Sequence, residues 1–184
     1  MVVIISIHHN GFQIKLLEAT VTDKPVIRNL LQLYQYDMSE FNGKDPDKHG
    51  FYNYNYLDHY WTEHGRKEEG RRAILIQIND FLAGFAFINN FSVVVPRTPT
   101  TRNLAEFFIM RKWRRRKIGK VIVSEIFDMY QGEWEIRQER ENVNAQQFWR
   151  RVIHDYTNGN YTETDLCDEI WDGPVQTFSN NGRL

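Results

Sequence analysis

Two neighbouring apolar runs constrain the fold of this chain more than any other feature of its sequence. The runs are Arg72–Ile78 and Phe81–Ile88, and only Asn79 and Asp80 separate them. Two turn-forming residues between β-prone runs predict a hairpin. Both runs are apolar on both faces, which is typical of strands that are covered on each side. We therefore expect a central sheet with further elements packed against each of its faces.

Three segments show the apolar spacing of amphipathic helices. An acid, a lysine and a proline at 23–25 form a helix start, and apolar residues then recur at helical spacing, which predicts a helix over 24–38. The clearest helix begins near Ile118, and Gly132 is expected to end it. A third helix is predicted from Ala145 to Tyr156. These helices are candidates for the cover of the sheet.

The remaining elements mix with these helices without a break in composition. Further strands are predicted at 13–20, 104–110, 133–137, 161–165 and 175–178. The order predicts one α/β domain over residues 13–184. Residues 1–12 are predicted to be an N-terminal leader or an extra strand, because the apolar start lacks the basic region and cleavage site of a signal peptide.

Composition excludes several classes of protein and site. The 184 residues contain one cysteine, Cys167, so neither an internal disulfide nor a cysteine-based zinc site can form. No histidines have the spacing of metal ligands, and no metal is expected. No apolar run approaches the roughly 20 residues that a membrane helix needs, so no membrane partner is expected. A reducing, cytoplasmic location is the default expectation.

A basic stretch at 111–120 interrupts an otherwise acidic chain. It reads RKWRRRKIGK, with seven basic residues and no acidic one. The rest of the chain holds 16 basic residues against 24 acidic ones, a net charge of −8. Such a concentration indicates an anion site, and a solvated surface face is the alternative.

The position of the basic stretch favours the anion site. The predicted strand 104–110 runs into it, and the clearest helix runs out of it. The first turn of a helix exposes unpaired N–H groups and a partial positive charge, so the four cations at 114–117 are unfavourable there unless an anion is bound. Backbone N–H groups and flanking cations would then converge on phosphate oxygens, and Gly119 would let the backbone approach them. Neither the Walker A pattern nor the dinucleotide fingerprint is present.

The segment AEFFIMRKWRRRKIGKVIVSEIF at 105–127 resembles the central motif of the GNAT superfamily of N-acetyltransferases. In that family a strand leads into R/Q-x-x-G-x-G/A, which opens a helix and binds the pyrophosphate of acetyl-CoA. Arg114 and Gly119 fit the pattern, whereas Lys117 stands in place of the first glycine.

A second segment, ENVNAQQFWRRVI at 141–153, resembles the family pattern N-x-x-A-x-x-F-Y that follows the fifth strand. Asn142, Ala145 and Phe148 fit this pattern, and Trp149 replaces the usual tyrosine. The resemblance covers about residues 13–178. It implies a single-domain α/β fold in which a central mixed, mostly antiparallel sheet is flanked by helices on both faces.

The resemblance also implies acetyl transfer from acetyl-CoA to an amine by direct attack in a ternary complex. Main-chain groups around Ile109 and Met110 would hold the acetyl carbonyl and the pantetheine arm. The pyrophosphate would lie against the following residues of the basic stretch: Arg114, Arg115, Arg116, Lys117, Ile118, Gly119 and Lys120. Asn142 is a candidate cofactor contact or a simple helix cap, and Trp149 is a core residue or a flank of the cofactor arm.

Two residues are candidates for proton transfer. Glu106, just upstream on the strand, is a candidate general base, and a solvent-facing strand residue or a partner of an arginine is the alternative. Tyr156 is a candidate acid in place of the missing tyrosine, and otherwise it continues the apolar stripe of its helix. Water is a third route, because a thiolate is a tolerable leaving group.

Three functions remain open at the level of sequence. The first is an N-acetyltransferase acting on a small-molecule or peptide amine, and the second is an acyl-CoA-binding protein without turnover. The third is a nucleic-acid binder that uses the basic stretch, but the net charge of −8 elsewhere would repel a long polyanion, so no nucleic-acid partner is expected. The aromatic-rich segment 51–61 is either core packing or the wall of a ligand pocket. The sequence does not identify the acceptor amine, and it leaves open whether the protein forms a homodimer.

Overall fold

An eight-stranded sheet organises the protein, and the computed structural model describes residues 2–182. The strand order is β1-β2-β3-β4-β5-β6-β8-β7, and every neighbouring pair is antiparallel except β5 and β6, which are parallel. The mixed, mostly antiparallel sheet is therefore confirmed. The strands are β1 (Val2–His9), β2 (Phe12–Glu18), β3 (Arg72–Ile78), β4 (Phe81–Asn89), β5 (Thr101–Ile109), β6 (Glu133–Arg137), β7 (Thr162–Cys167) and β8 (Asp172–Ser179).

Helices cover both faces of this sheet, as predicted. They are α1 (Lys24–Asn42), the short α2 (Glu63–Lys67), α3 (Ile118–Met129) and α4 (Val143–Thr157). Side chains on the two faces of β3 enter different cores. Leu75 packs with α1 on one face, whereas Ile74 and Ile76 pack with α3 and α4 on the other. No helix within residues 2–182 is long and apolar enough to cross a membrane.

The predicted β3–β4 hairpin is confirmed. Asn79 and Asp80 both have positive φ values, 50° and 64°, which are the turn conformations that Asn and Asp tolerate best. The strands on either side are buried on both faces except at the turn. At the N-terminus, β1 pairs with β2 at the edge of the same sheet.

Some predicted boundaries are wrong. Helix α1 continues to Asn42, four residues beyond the predicted end, and α3 ends at Met129 instead of at Gly132. Gly132 has another role, because a Cβ at this position would lie 2.0 Å from the carbonyl oxygen of Thr100. Cys167 is exposed on the edge strand β7.

The sheet opens between its two parallel strands. The pairing of β5 with β6 covers only three residues of each strand, Thr101–Asn103 against Glu133–Glu135. Two residues further along β5, Ala105 forms a bulge, because Leu104 and Glu106 pair with consecutive residues of β4. Beyond Asn103 the edge of β5 that faces β6 therefore has no partner strand, and the two strands leave a gap between them.

The substitution Gly84→Ala tests how closely β4 and β5 approach each other on the wall of this gap. A Cβ at Gly84 would lie 1.9 Å from the carbonyl oxygen of Phe108, so the strands must separate. We expect a loss of about 1–3 kcal/mol in the free energy of unfolding, measured by urea denaturation. Ser6→Ala is the control, since Ser6 is exposed on the edge strand β1 and its substitution adds neither a clash nor backbone strain. Equal losses in the two variants would contradict the close approach.

Candidate active site

A cavity of about 660 Å³ lies over the gap between β5 and β6. Helix α1 supplies one wall through Tyr34 and Met38, and α4 supplies another through Trp149. Glu106 of β5 and Arg137 of β6 line the cavity from the two diverging strands. The cavity therefore brings together residues that are far apart in sequence at the point where the sheet opens.

Glu106, the candidate base, lies in this cavity. Burial raises the pKa of its carboxyl group from 4.5 to about 7, while hydrogen bonds from Tyr34 and Tyr54 and the positive charge of Arg137 oppose the rise. The hydroxyl of Tyr34 donates to Oε2 of Glu106 at 2.5 Å. A carboxyl group with this pKa is divided between its acid and base forms near neutral pH, as a general base requires.

The aromatic-rich segment 51–61 combines both predicted roles. Tyr54 and Tyr56 line the cavity. Tyr60 is buried instead and stacks on Phe87, with the ring centroids 4.0 Å apart. Burial and the nearby Glu106 raise the pKa values of Tyr34, Tyr54 and Tyr60, so all three hydroxyls remain protonated, and those of Tyr34 and Tyr54 donate to Glu106.

The basic stretch forms a 3-10 turn, Arg111–Trp113, followed by a loop that enters α3. Two non-glycine residues of this loop adopt left-handed backbone conformations, Arg115 with φ 62° and Lys117 with φ 60°. Lys117 is also the N-cap of α3. The residue in the place of the family's first glycine therefore retains a glycine-like conformation, at a cost of about 1–2 kcal/mol.

Five cations of the basic stretch have protein partners, and one of them, Lys112, lies over the rings of Phe81 and Trp113. Arg111 and Arg114 each pair with a carboxylate oxygen of Asp37 on α1, at 2.7 and 2.5 Å. Lys120 pairs with Asp155 on α4 at 2.7 Å, and the guanidinium of Arg116 lies over the rings of Phe12 and Trp113.

Arg115 and Lys117 remain available to a ligand. Among the described residues they make no hydrogen bond or ion pair, and both are exposed. Beside them lie the first N–H groups of α3, beginning at Ile118. These groups lack partners within the helix, as they do at the start of any α-helix. The loop thus has the composition of a phosphate site, two free cations next to a helix N-terminus.

Gly119 has a packing role in addition to the predicted one. A Cβ at this position would touch the ring of Phe148 at 3.4 Å and that of Phe107 at 3.9 Å. The glycine therefore lets α3 pack against an aromatic pair that bridges β5 and α4, whose stacked rings are 6.3 Å apart.

The predicted main-chain groups at Ile109 and Met110 are already engaged. The Ile109 carbonyl accepts from Nε of Arg114 at 2.5 Å, and the Met110 N–H donates to Ala83 at 2.7 Å. The edge of β5 between Leu104 and Phe108, which has no strand partner on its β6 side, is the better candidate for holding an extended ligand arm.

Asn142 and Trp149 both line the cavity from α4. Asn142 is the N-cap of α4 and accepts from the N–H of Ala145 at 3.0 Å, so it is also the helix cap that the sequence allowed. Trp149 is largely buried and packs edge-on against Phe107 and Phe148.

The structure does not bring Tyr156 to the cavity. Its hydroxyl donates to Asp128 on α3 at 2.7 Å, and Asn180 donates to the same hydroxyl at 3.2 Å. The ring packs against Phe127 and Phe178. This geometry contradicts the predicted role as an acid, because Tyr156 ties α4 to α3 within the core.

Tyr34, Arg137 and Gln138 are among the residues of the cavity that sequence reasoning missed. Tyr34 occupies the apolar stripe of α1, where its position favours a core role. Arg137 and Gln138 stand at the end of a strand and give no motif. For Tyr34, the available signal was a hydroxyl-bearing side chain in an otherwise aliphatic stripe. No group of three or more acidic, histidine or cysteine side chains in residues 2–182 is arranged to hold a metal ion.

No protein-family model and no curated protein matches the sequence. Solved structures do match. The aminoglycoside acetyltransferase AAC(6')-Ib in complex with coenzyme A is 13% identical, with a TM-score of 0.59 over 91% of this chain and 95% of that one. An acetyltransferase from Agrobacterium tumefaciens is 13% identical, with a TM-score of 0.61 over 96% and 95%.

A putative acetyltransferase of the GNAT family from Desulfovibrio desulfuricans gives a TM-score of 0.58 at 12% identity, over 90% of this chain and 98% of that one. These matches span nearly the whole of each chain. They agree with the resemblance that two short motifs indicated. The protein has the fold of the GNAT acetyltransferases.

Proposed function

We propose that the protein is an acetyl-CoA-dependent N-acetyltransferase that acts on a small-molecule amine. The observation that carries this proposal is Glu106, a carboxyl group with a pKa of about 7 in a cavity beside the sheet opening. The fold supports it, and AAC(6')-Ib, a protein of the same fold, has been crystallised with coenzyme A and the amine kanamycin.

Acetyl-CoA fits the groups that this chain offers. Arg115 and Lys117, with the first N–H groups of α3, would take the pyrophosphate. The unpaired edge of β5 beyond Asn103 would bind the amide groups of the pantetheine arm as a neighbouring strand does. Trp149 would form an apolar side of the same gap. When bound, acetyl-CoA supplies a thioester whose carbonyl carbon is open to attack.

Proton transfer is the task of Glu106. A free amine nitrogen attacks the thioester carbonyl, a C–N bond forms, and the C–S bond breaks. The nitrogen becomes acidic as this bond forms, and Glu106 in its carboxylate form accepts its proton. Tyr34 holds the carboxylate by its 2.5 Å hydrogen bond. The indole at Trp149 has no useful acidic proton, so the thiolate departs as the anion or takes a proton from water.

A coenzyme A-binding protein without turnover is the second candidate. The observation that favours it is Trp149 in the place of the usual tyrosine, together with the removal of Tyr156 from the cavity. Release of free thiol in the presence of an amine separates the two candidates, whereas coenzyme A binding alone does not.

The basic stretch generates the first prediction of this function. Acetyl-CoA at a hundredfold excess over Kd should stabilise the protein by about 2.7 kcal/mol. Lys117→Gly and Lys117→Ala should both weaken acetyl-CoA binding by calorimetry, because both remove the cation. The free energy of unfolding, measured by urea denaturation, should nevertheless be about 1 kcal/mol larger for Lys117→Gly than for Lys117→Ala, because only glycine relieves the left-handed strain.

Lys67→Ala is the control for this comparison. Lys67 is an exposed lysine of α2 that pairs with Glu63 outside the cavity. Its loss should leave acetyl-CoA binding unchanged. If the Lys117 variants bind acetyl-CoA as tightly as this control, the pyrophosphate assignment is wrong.

The pKa of Glu106 generates the second prediction. The base is active when ionised, so kcat/KM should rise with pH through a limb near pH 7, superimposed on any ionisation of the acceptor amine. Glu106→Gln should lower kcat by about 10²–10⁴-fold and remove that limb. Tyr34→Phe removes a hydrogen bond that favours the carboxylate, so the limb should move to higher pH. A Glu106→Gln profile that keeps the limb would assign the limb to another group.

A further inference from the structure

Arg137 occupies an unusual position at the end of β6. Its guanidinium lies between two aromatic rings, 5.0 Å from the centroid of Phe91 and 4.9 Å from that of Trp171. The side chain is only 14% exposed, and it lines the cavity that contains Glu106. Contact with these rings stabilises the charge but uses none of the N–H donors of the guanidinium as conventional hydrogen bonds.

These edges are poorly satisfied by the protein. The nearest carboxylate oxygen, Oε1 of Glu135, lies 3.7 Å from Nε, which is too far for a hydrogen bond. Asn103 can accept one bond from Nη2 at 3.1 Å in the orientation of its amide that satisfies its other neighbours. A guanidinium carries five N–H donors, so most of those on Arg137 have no acceptor among the described residues.

Glu135 is engaged elsewhere. Its carboxylate accepts from the hydroxyl of Ser92 at 2.6 Å and from the N–H groups of Val93 and Val94, both at 2.9 Å. The charge of Glu135 therefore holds the loop that follows β4. The charges of Glu135, Glu106 and Glu139 all act on Arg137, but none of these carboxylates accepts a hydrogen bond from it among the described residues. A ligand anion in the cavity would complete the hydrogen bonds of Arg137.

Two further polar atoms beside Arg137 have no hydrogen-bond partner in the described part of the chain. They are Oε1 of Gln138 and Nε1 of Trp171, both buried and both on residues that line the cavity. The amide of Gln138 is fixed, because its Nε2 donates to Gln176 at 2.7 Å. A cluster of one acceptor and several donors is the arrangement that binds a polar ligand group in a cavity.

We propose that the acceptor is an amine that also carries a carboxylate, as an amino acid does, and that Arg137 binds this carboxylate while Glu106 faces the amine. The inference rests on the proposed function and deepens it. The planar fork of arginine matches a carboxylate through two parallel hydrogen bonds. Tyr54 and Tyr56 extend the aromatic walls formed by Phe91 and Trp171, so they would contact the remainder of the acceptor.

This acceptor differs from a polycation. Arg71 and Arg97 line the cavity together with Arg137. Glu69, the carboxylate next to Arg71, is already bound by Arg71 at 2.5 Å and by His59 at 3.3 Å. Together with Lys44, Glu106 and Glu139, the lining holds four cations and three carboxylates. A ligand with one amine and one carboxylate matches Glu106 and Arg137 with opposite charges, whereas a ligand with several ammonium groups would meet more cations than carboxylates.

The test compares matched acceptors on the wild-type protein. Tryptophan, leucine, glutamate and lysine are each supplied as the free L-amino acid and as its primary amide, with acetyl-CoA, and thiol release is measured. We expect kcat/KM to favour the free acid of at least one pair by 10–100-fold, the range of charge-assisted hydrogen bonds. An amide that reacts as well as its acid in every pair, or better, overturns the inference.

Variants of Arg137 test whether this residue causes the preference for free acids over amides. Arg137→Gln should reduce the acid-to-amide ratio towards one, and Arg137→Lys should retain part of it, since lysine keeps the charge without the fork. Arg66→Gln, which removes an exposed arginine that pairs with Glu18 outside the cavity, should keep the wild-type ratio. A ratio unchanged in folded Arg137→Gln overturns the assignment to Arg137.

A binding measurement separates this inference from the proposed function. The shift in melting temperature with each acid and amide is recorded without acetyl-CoA. Stabilisation by acids alone, without thiol release, supports the acceptor site and overturns the acetyltransferase. Thiol release with equal use of acids and amides supports the acetyltransferase and overturns the acceptor class. If no acid stabilises the protein and no thiol is released, both are overturned.

Discussion

The short parallel pairing of β5 and β6 is the constraint on which the rest of the structure depends. Parallel strands need a crossover connection, and here α3 provides it. The end of β5 therefore leads directly into the basic stretch and the N-terminus of α3. Because pairing stops after three residues, the sheet opens beside that same helix start. The end of the short pairing thus creates a gap in the sheet and places the unpaired cations Arg115 and Lys117 and the N-terminus of α3 at the end of that gap.

The sequence predicted this architecture because periodicity reports burial. The hairpin of β3 and β4 is apolar on both faces, and helices do cover both faces. Boundaries were less predictable: the sequence placed the end of α3 at Gly132, but that glycine is required by the backbone of Thr100. Glu106 and the basic stretch could be proposed as site residues from the sequence because each adjoins a recognisable motif. Arg137 could not, since its environment is assembled from the loop after β4, from β5 and from the residue before β8.

The loop before α3 shows why motif letters and backbone geometry must be considered separately. The family pattern has glycine where this chain has Lys117, yet Lys117 adopts the left-handed conformation that glycine takes easily. The chain therefore keeps the turn, accepts the strain and gains a cation at the helix N-terminus. Arg115 repeats this arrangement two residues earlier. Bound phosphate would offset both the strain and the repulsion between these cations, as sites of stored strain do elsewhere.

Arg137 and Glu106 are coupled, and this coupling connects recognition with chemistry. The positive charge of Arg137 lowers the pKa of Glu106, against the larger effect of burial, which raises it. A carboxylate bound to Arg137 would neutralise that charge, so the pKa of Glu106 would rise when the acceptor binds. A carboxylate with a higher pKa is a stronger base. An acceptor that satisfies Arg137 would therefore meet a stronger base at pH values above the raised pKa, whereas below it a larger share of Glu106 would be protonated and unable to accept the proton.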